Sequence, residues 1–199
     1  MIVYVDMDGV LTDFYYGFLS AAHRLGYKTK QSYSWDLEDH LSIDVPYSER
    51  KNIVHTIMNN DSFWLELKPI QGAVEGLKKL NSTSKVEVYI LTAPYFSNLD
   101  CIKSKLIWIK QNLKYFNLEN VIFALNKPLL RGDVLIDDRP KYINNWQGKV
   151  VFCFQQPWNV RANLQNIHCP IHEIQHWDQI PYLINDLLLE DYYTNVKLL

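Results

Sequence analysis

Cysteine is scarce: Cys101, Cys153 and Cys169 are an odd number without a CxxC pair, which rules out a disulfide framework and suits a reducing compartment. Glycine and proline, 7 and 8 residues of 199, form no low-complexity tract or linker that would separate a second autonomous domain. No apolar run approaches the roughly 18 residues that span a bilayer. Met1 to Val5 run straight into acidic residues, without the basic stretch, long apolar core and small-residue cleavage site of a signal peptide. An excess of positive charge is missing too: 20 Lys plus Arg face 22 Asp plus Glu, net −2, so no bulk field pulls the chain towards a nucleic-acid backbone or an anionic membrane. These absences predict a cytoplasmic protein with neither nucleic acid nor membrane as partner. What is present is one ordinary domain's worth of chain, with enough apolar residues for a core and for a modest insertion.

Five short stretches, Ile2 to Val5, Val86 to Leu91, Val121 to Phe123, Val134 to Ile136 and Val150 to Phe154, are dominated by β-branched, aromatic or leucine side chains and have strand length. Helical spacing recurs between them, as in Ala73, Leu77 and Leu80 after Gly72, and in Ile102, Leu106, Ile109 and Leu113. The alternation predicts an α/β fold, a Rossmann-like parallel sheet with helices on both faces and right-handed crossovers. Phe14 to Pro69 breaks the rhythm with helical pieces (Phe14 to Leu25, Ser48 to Met58), ring-rich loops and no convincing strand. That interval reads as a small helical cap, 14–69, inserted after strand one into a core of 1–13 and 70–199. Beyond Phe154 only a closing helix over Ile180 to Leu189 is legible.

In such sheets ligands bind beyond the carboxyl ends of the strands, so the residues just past each strand are the candidate site. Strand one ends in Asp6-Met7-Asp8-Gly9. Acids at i and i+2 of an extended chain point the same way and converge on one volume, and Gly9 permits the turn that follows. Strand two ends in Leu91-Thr92-Ala93-Pro94, bringing a hydroxyl and free amides to the same edge. Lys127 precedes strand four, which ends in Ile136-Asp137-Asp138-Arg139-Pro140. Four ionised carboxylates in one crevice repel each other; an all-oxygen donor set resolves this best with Mg²⁺. Cation, Lys127 and Thr92 together make a receptor for a phosphoryl group.

DMDGVLTD at 6–13, ILTAP, the isolated Lys127 and LIDDRP together resemble the four motifs of the haloacid dehalogenase superfamily of aspartate phosphatases. With FWLELKPIQGA at 63–73 the likeness narrows to the 5'(3')-deoxyribonucleotidase family and covers most of 2–140. It implies a Mg²⁺-dependent phosphomonoesterase acting on nucleoside monophosphates, with Asp6 as nucleophile and Asp8 as general acid and base. By the same likeness Asp6, the backbone carbonyl of Asp8 and Asp138 hold the metal, and Asp137 orients waters or Lys127, although the first acid of such a pair is the ligand in some relatives. Thr92, Ala93 and Lys127 hold the phosphate, and Phe14 and Tyr95 face the base, with Tyr33, Trp35 and Met58 as further neighbours. Some members carry Arg two residues before the lysine, where this chain has Leu125. The alternatives are a phosphatase of the same superfamily acting on another small phosphomonoester, or a non-catalytic nucleotide-binding protein of the same fold. A homodimer is left open.

Outside the motifs the plainer readings prevail. Arg139 is expected to pair with nearby carboxylates, and most cap aromatics to be core, with Phe14 the exception. Trp146, Trp158 and Trp177 should pack the late strand and tail against the sheet. His168, Cys169, His172 and His176 offer no closed set of four zinc ligands, although His172 and His176 could share a helix face.

Overall fold

The computed structural model describes residues 1–160 and 162–196, the last five by their backbone alone. Six strands, β1 (Ile2–Val5), β2 (Glu87–Thr92), β3 (Val121–Phe123), β4 (Val134–Asp137), β5 (Val150–Phe154) and β6 (Ile171–Ile174), form one sheet in the order β3-β2-β1-β4-β5-β6. Every pairing is parallel. The central strands are continuous apolar runs because both of their faces are covered; all five residues of β5 are buried. The predicted strands lie within one residue of their observed limits. The sixth, β6, went unread: it has four residues, two of them the exposed His172 and Glu173, as befits an edge strand. His172 thus sits on a strand and His176 in the turn after it, so the two do not share the helix face that their spacing allowed.

Helices α4 (Ala73–Asn81), α5 (Asp100–Asn112), α6 (Pro140–Ile143) and α7 (Gln179–Val196) provide the crossovers and the closing element. On α5 the buried residues are Cys101, Ser104, Lys105, Trp108 and Ile109. Of the residues expected to face the core there, Ile109 and Leu113 are buried, whereas Ile102 and Leu106 are only half-buried; in those two turns the buried positions are Cys101 and Lys105, one residue back. Trp177 fills the space beside α4, where a Cβ on Gly76 would lie 2.6 Å from its ring, and its indole N–H donates to the Val10 carbonyl at 2.7 Å.

Residues 14–69 hold α1 (Phe14–Arg24), a 3₁₀ turn (Leu37–His40), α2 (Tyr47–Met58) and the short α3 (Asp61–Leu65). The five residues of α3 are too few to show a helical period. The chain leaves and returns through one neck, where Asp13 N donates to Lys68 O at 2.8 Å and Ile70 N to Leu11 O at 2.9 Å. Phe14, Phe18, Ile57 and Trp64 belong to the same buried apolar cluster as Val3, Val5 and Trp108.

Candidate active site

The strand order reverses direction at β1, whose partner beyond the switch is β4. Val5 lies opposite Ile136, so Asp6 and the Asp137-Asp138 pair leave adjacent strands at the crevice where open α/β sheets bind ligands. Oxygens of Asp6, Asp137 and Asp138 lie within 4.8 Å of one another. Lys127, fully buried, reaches Asp6 Oδ2 at 2.8 Å and Asp137 Oδ2 at 2.7 Å. Burial alone would lower its ammonium pKa, but the Asp137 and Asp6 carboxylates more than offset that and hold it above the ordinary lysine value. Asp6 Oδ1 accepts from the Met7 amide at 2.7 Å, and Asp137 Oδ1 from the Arg139 amide at 2.9 Å.

Asp138 differs. It is fully buried, yet among the described residues neither carboxyl oxygen has a hydrogen-bond partner. Burial, then the neighbouring Asp137 and Asp6, push its pKa well above the usual carboxylate range. Buried polar atoms are nearly always partnered, so two orphaned oxygens facing two more carboxylates mark a place made for a positive charge. Oxygen donors alone suit a hard divalent cation such as Mg²⁺. Gly9 makes the close approach feasible: its φ is +82°, and a Cβ there would collide with the Asp138 carboxylate. Gln156 donates to the Gly9 carbonyl at 2.7 Å, and Asn159 to the Asp138 carbonyl at 2.8 Å. Neither support was foreseen, because both follow β5 in a stretch without a motif.

The Asp8 carboxylate stands outside this cluster. Its Oδ2 lies 2.5 Å from Nζ of Lys105, a fully buried lysine that the sequence reading missed. Lys105 Nζ also donates to Thr92 Oγ1 and to the Ala93 carbonyl, each at 2.9 Å, and faces the Trp64 ring at 5.0 Å. Burial raises the Asp8 pKa, Lys105 opposes the rise and Asp6 adds to it. A signal for Lys105 was available: with the α5 stripe in register, it falls four residues after Cys101 and three before Trp108, on the buried face.

Phe14 is buried edge-on to Phe63, centroids 5.6 Å apart, and tilted against Trp64 at 6.0 Å. Tyr95, half-buried, lies 6.4 Å from Trp64. Tyr33 is exposed, Met58 is buried with its carbonyl accepting from Trp64, and Leu125 is exposed. The Arg139 side chain has no carboxylate partner among the described residues, contrary to expectation; only its backbone amide meets one, on Asp137. Its guanidinium instead lies 4.5 Å from the centroid of the Trp35 ring and 5.3 Å from that of Tyr142, since Lys127 already serves the nearby acid. Trp158 departs as well: rather than packing the tail, it meets Trp35 edge-on at 5.1 Å and Tyr15 at 5.8 Å. Among the described residues the Asp6, Asp137 and Asp138 group is the one cluster suited to a metal, and the tail histidines form none.

An all-parallel sheet with this acid-rich switch point is the architecture of haloacid dehalogenase-like hydrolases. A HAD-hydrolase of Bacillus subtilis bound to magnesium superposes over 92% of this chain and 98% of its own (TM-score 0.58, 13% identity); a haloacid dehalogenase-like hydrolase of Streptococcus pneumoniae does so over 94% and 97% (TM-score 0.57, 16% identity). Within that class, the family model described as 5' nucleotidase, deoxy (pyrimidine), cytosolic type C protein matches residues 1–192, and the chain belongs to that family. It is 29% identical over 153 residues to the human cytosolic-type 5'(3')-deoxyribonucleotidase, covering 69% of this chain and 70% of the relative. The human mitochondrial 5'(3')-deoxyribonucleotidase is 32% identical, covering 69% and 62%; that of Bacillus subtilis is 26% identical, covering 81% and 89%. No helix among the described residues is long and apolar enough to cross a membrane.

Proposed function

We propose that the chain is a Mg²⁺-dependent phosphomonoesterase of deoxyribonucleoside monophosphates, working through an aspartyl-phosphate on Asp6. The observation that carries this reading is the partition of two acids between two lysines: Asp6 with Lys127 beside the orphaned Asp138, and Asp8 apart with Lys105. Asp6 and Asp138, with the backbone carbonyl of Asp8, would hold the cation, which supplies charge neutralisation for the phosphoryl oxygens and the nucleophile. Asp137 acts through its ion pair with Lys127.

A carboxylate oxygen of Asp6 attacks phosphorus, the bond from phosphorus to the nucleoside oxygen breaks, and Asp8 gives its proton to that oxygen. Water then attacks the phosphoryl-aspartate, Asp8 takes its proton, and phosphate leaves with Asp6 regenerated. A raised Asp8 pKa suits an acid that must start protonated. The Thr92 hydroxyl and Ala93 amide hold non-bridging oxygens, and Lys127 neutralises phosphate and nucleophile alike.

Residues 14–69 form the cap over a core of 1–13 and 70–199 and set substrate choice. Tyr95, with the buried Phe14 and Trp64 behind it, supplies an aromatic wall for the base. The family relationship supports a cytoplasmic protein with a nucleotide substrate. Released phosphate should be measured across deoxyribonucleotides, ribonucleotides and sugar phosphates, with Mg²⁺ and with chelator. Nucleotides are expected to lead, and Asp6→Asn to abolish turnover while the fold persists. Equal rates across the panel defeat the nucleotide assignment, and undiminished release by Asp6→Asn defeats the mechanism.

A further inference from the structure

Lys105 is a buried cation beside the reacting groups to which the steps above give no task. An ammonium has three N–H bonds, and Lys105 directs them at three protein oxygens: Asp8 Oδ2 at 2.5 Å, Thr92 Oγ1 at 2.9 Å and the Ala93 carbonyl at 2.9 Å. The Trp64 ring covers it on another side, so none of its hydrogens is left for a substrate oxygen. That separates it from Lys127, whose hydrogen bonds run to Asp6 and Asp137 at the cation site.

Two proton positions follow. A hydroxyl that accepts from an ammonium must turn its own hydrogen elsewhere, and Thr92 Oγ1 donates to no protein acceptor among the described residues. Its O–H is therefore free for a phosphoryl oxygen. On Asp8, Oδ2 accepts from Lys105, so a proton carried by this carboxyl resides on Oδ1. Among the described residues that oxygen has only a long contact to Thr12 Oγ1, 3.4 Å, and the Thr12 hydroxyl has the Met7 carbonyl at 3.3 Å as its alternative acceptor.

We propose that Lys105 is a positioning residue that orients both protons, making Thr92 a donor to the phosphoryl group and Oδ1 of Asp8 the atom that protonates the leaving oxygen. The ammonium ties the ends of β1 and β2 together and touches no substrate atom. This rests on the phosphatase reading above, and its test keeps the two apart.

The readout is kcat/KM, which reports through the first irreversible step, on two esters: a deoxynucleoside 5'-monophosphate, whose alkoxide must be protonated as it leaves, and p-nitrophenyl phosphate, whose phenolate need not be. Lys105→Met fills the same space without donors. On the nucleotide it should lose about 10²- to 10³-fold, the range of a displaced general acid. On p-nitrophenyl phosphate the loss should be at least tenfold smaller and match that of Thr92→Val; adding Thr92→Val to Lys105→Met should then cost less than about threefold more, because the two changes remove one interaction. Lys105→Gln, which keeps an amide donor, should show the same split at smaller size, and it serves as the readable variant if Lys105→Met does not fold. Equal losses on the two esters, additive losses with Thr92→Val, or no loss overturn the proposal. Activity surviving in Asp6→Asn would instead overturn the phosphatase reading itself.

Discussion

Asp138→Asn should make the metal-free protein more stable and the enzyme inactive. Asp138 is buried beside Asp6 and Asp137, and among the described residues no group donates to either of its oxygens. A buried polar group left unpaired costs about 1–3 kcal/mol, more if charged. Asparagine removes the charge and brings an N–H₂ that can donate to a neighbouring carboxylate. For a domain of this size 1 kcal/mol moves Tm by about 2–4 °C, so the metal-free variant should melt roughly 2–12 °C above the parent. The sign with pH is fixed by the raised Asp138 pKa: the parent's folded state holds a proton that the unfolded chain has released, so its stability falls as pH rises from about 4 towards that higher folded value. The advantage of the asparagine variant is therefore small near pH 5 and largest near pH 8. Magnesium reverses the ranking, because the cation binds the ionised carboxylate and stabilises the parent by RT ln(1 + [L]/Kd), about 2.7 kcal/mol at a hundred times Kd. Melting curves at pH 5 and pH 8, with Mg²⁺ and with chelator, check all of this in one set. A variant no more stable than its parent at pH 8 in chelator, or one that keeps the full magnesium shift, would refute the assignment of Asp138 as the frustrated ligand.

Gly9→Ala meets both a positive φ, about 1–2 kcal/mol for a residue with a Cβ, and a collision with the Asp138 carboxylate. It should lose the magnesium-induced Tm shift and about 10²-fold or more in kcat/KM; a fully retained shift contradicts the tight packing of Gly9 on Asp138. The Arg139 guanidinium over Trp35 links residues 14–69 to the end of β4. A urea-denaturation double-mutant cycle with Trp35→Leu and Arg139→Met should give a coupling of about 0.5–2 kcal/mol that 0.5 M NaCl leaves nearly intact. A coupling of zero, or one that salt abolishes, would show that the ring face is not what holds Arg139.

The sheet was legible because its central strands are apolar on both faces, so Ile2–Val5 and Val150–Phe154 could be read to the residue. Asp6, Thr92, Lys127 and Asp138 were legible as candidates because a parallel sheet gathers its strand ends at one rim. What stayed hidden depended on side-chain direction. Lys105 looked like Lys103 and Lys110 until the face of α5 was in register. Arg139 looked like a carboxylate partner because its neighbour in sequence is Asp138, while the actual contact, Trp35, comes from a loop far earlier in the chain. Trp158 was assigned to the tail for the same reason, although it packs beside Gly9. β6 alternates too weakly, over too few residues, to stand out from the turns beside it.

Phe14 and Phe18 of α1, Ile53 and Ile57 of α2 and Phe63 and Trp64 of α3 all lie in the very cluster that also coats one side of the sheet, so these helices share the core's interior rather than resting on a finished one. Cutting them out would strip an oily wall from the strands. The molecule should therefore melt in one cooperative step, with no earlier transition of its own for α1 to α3.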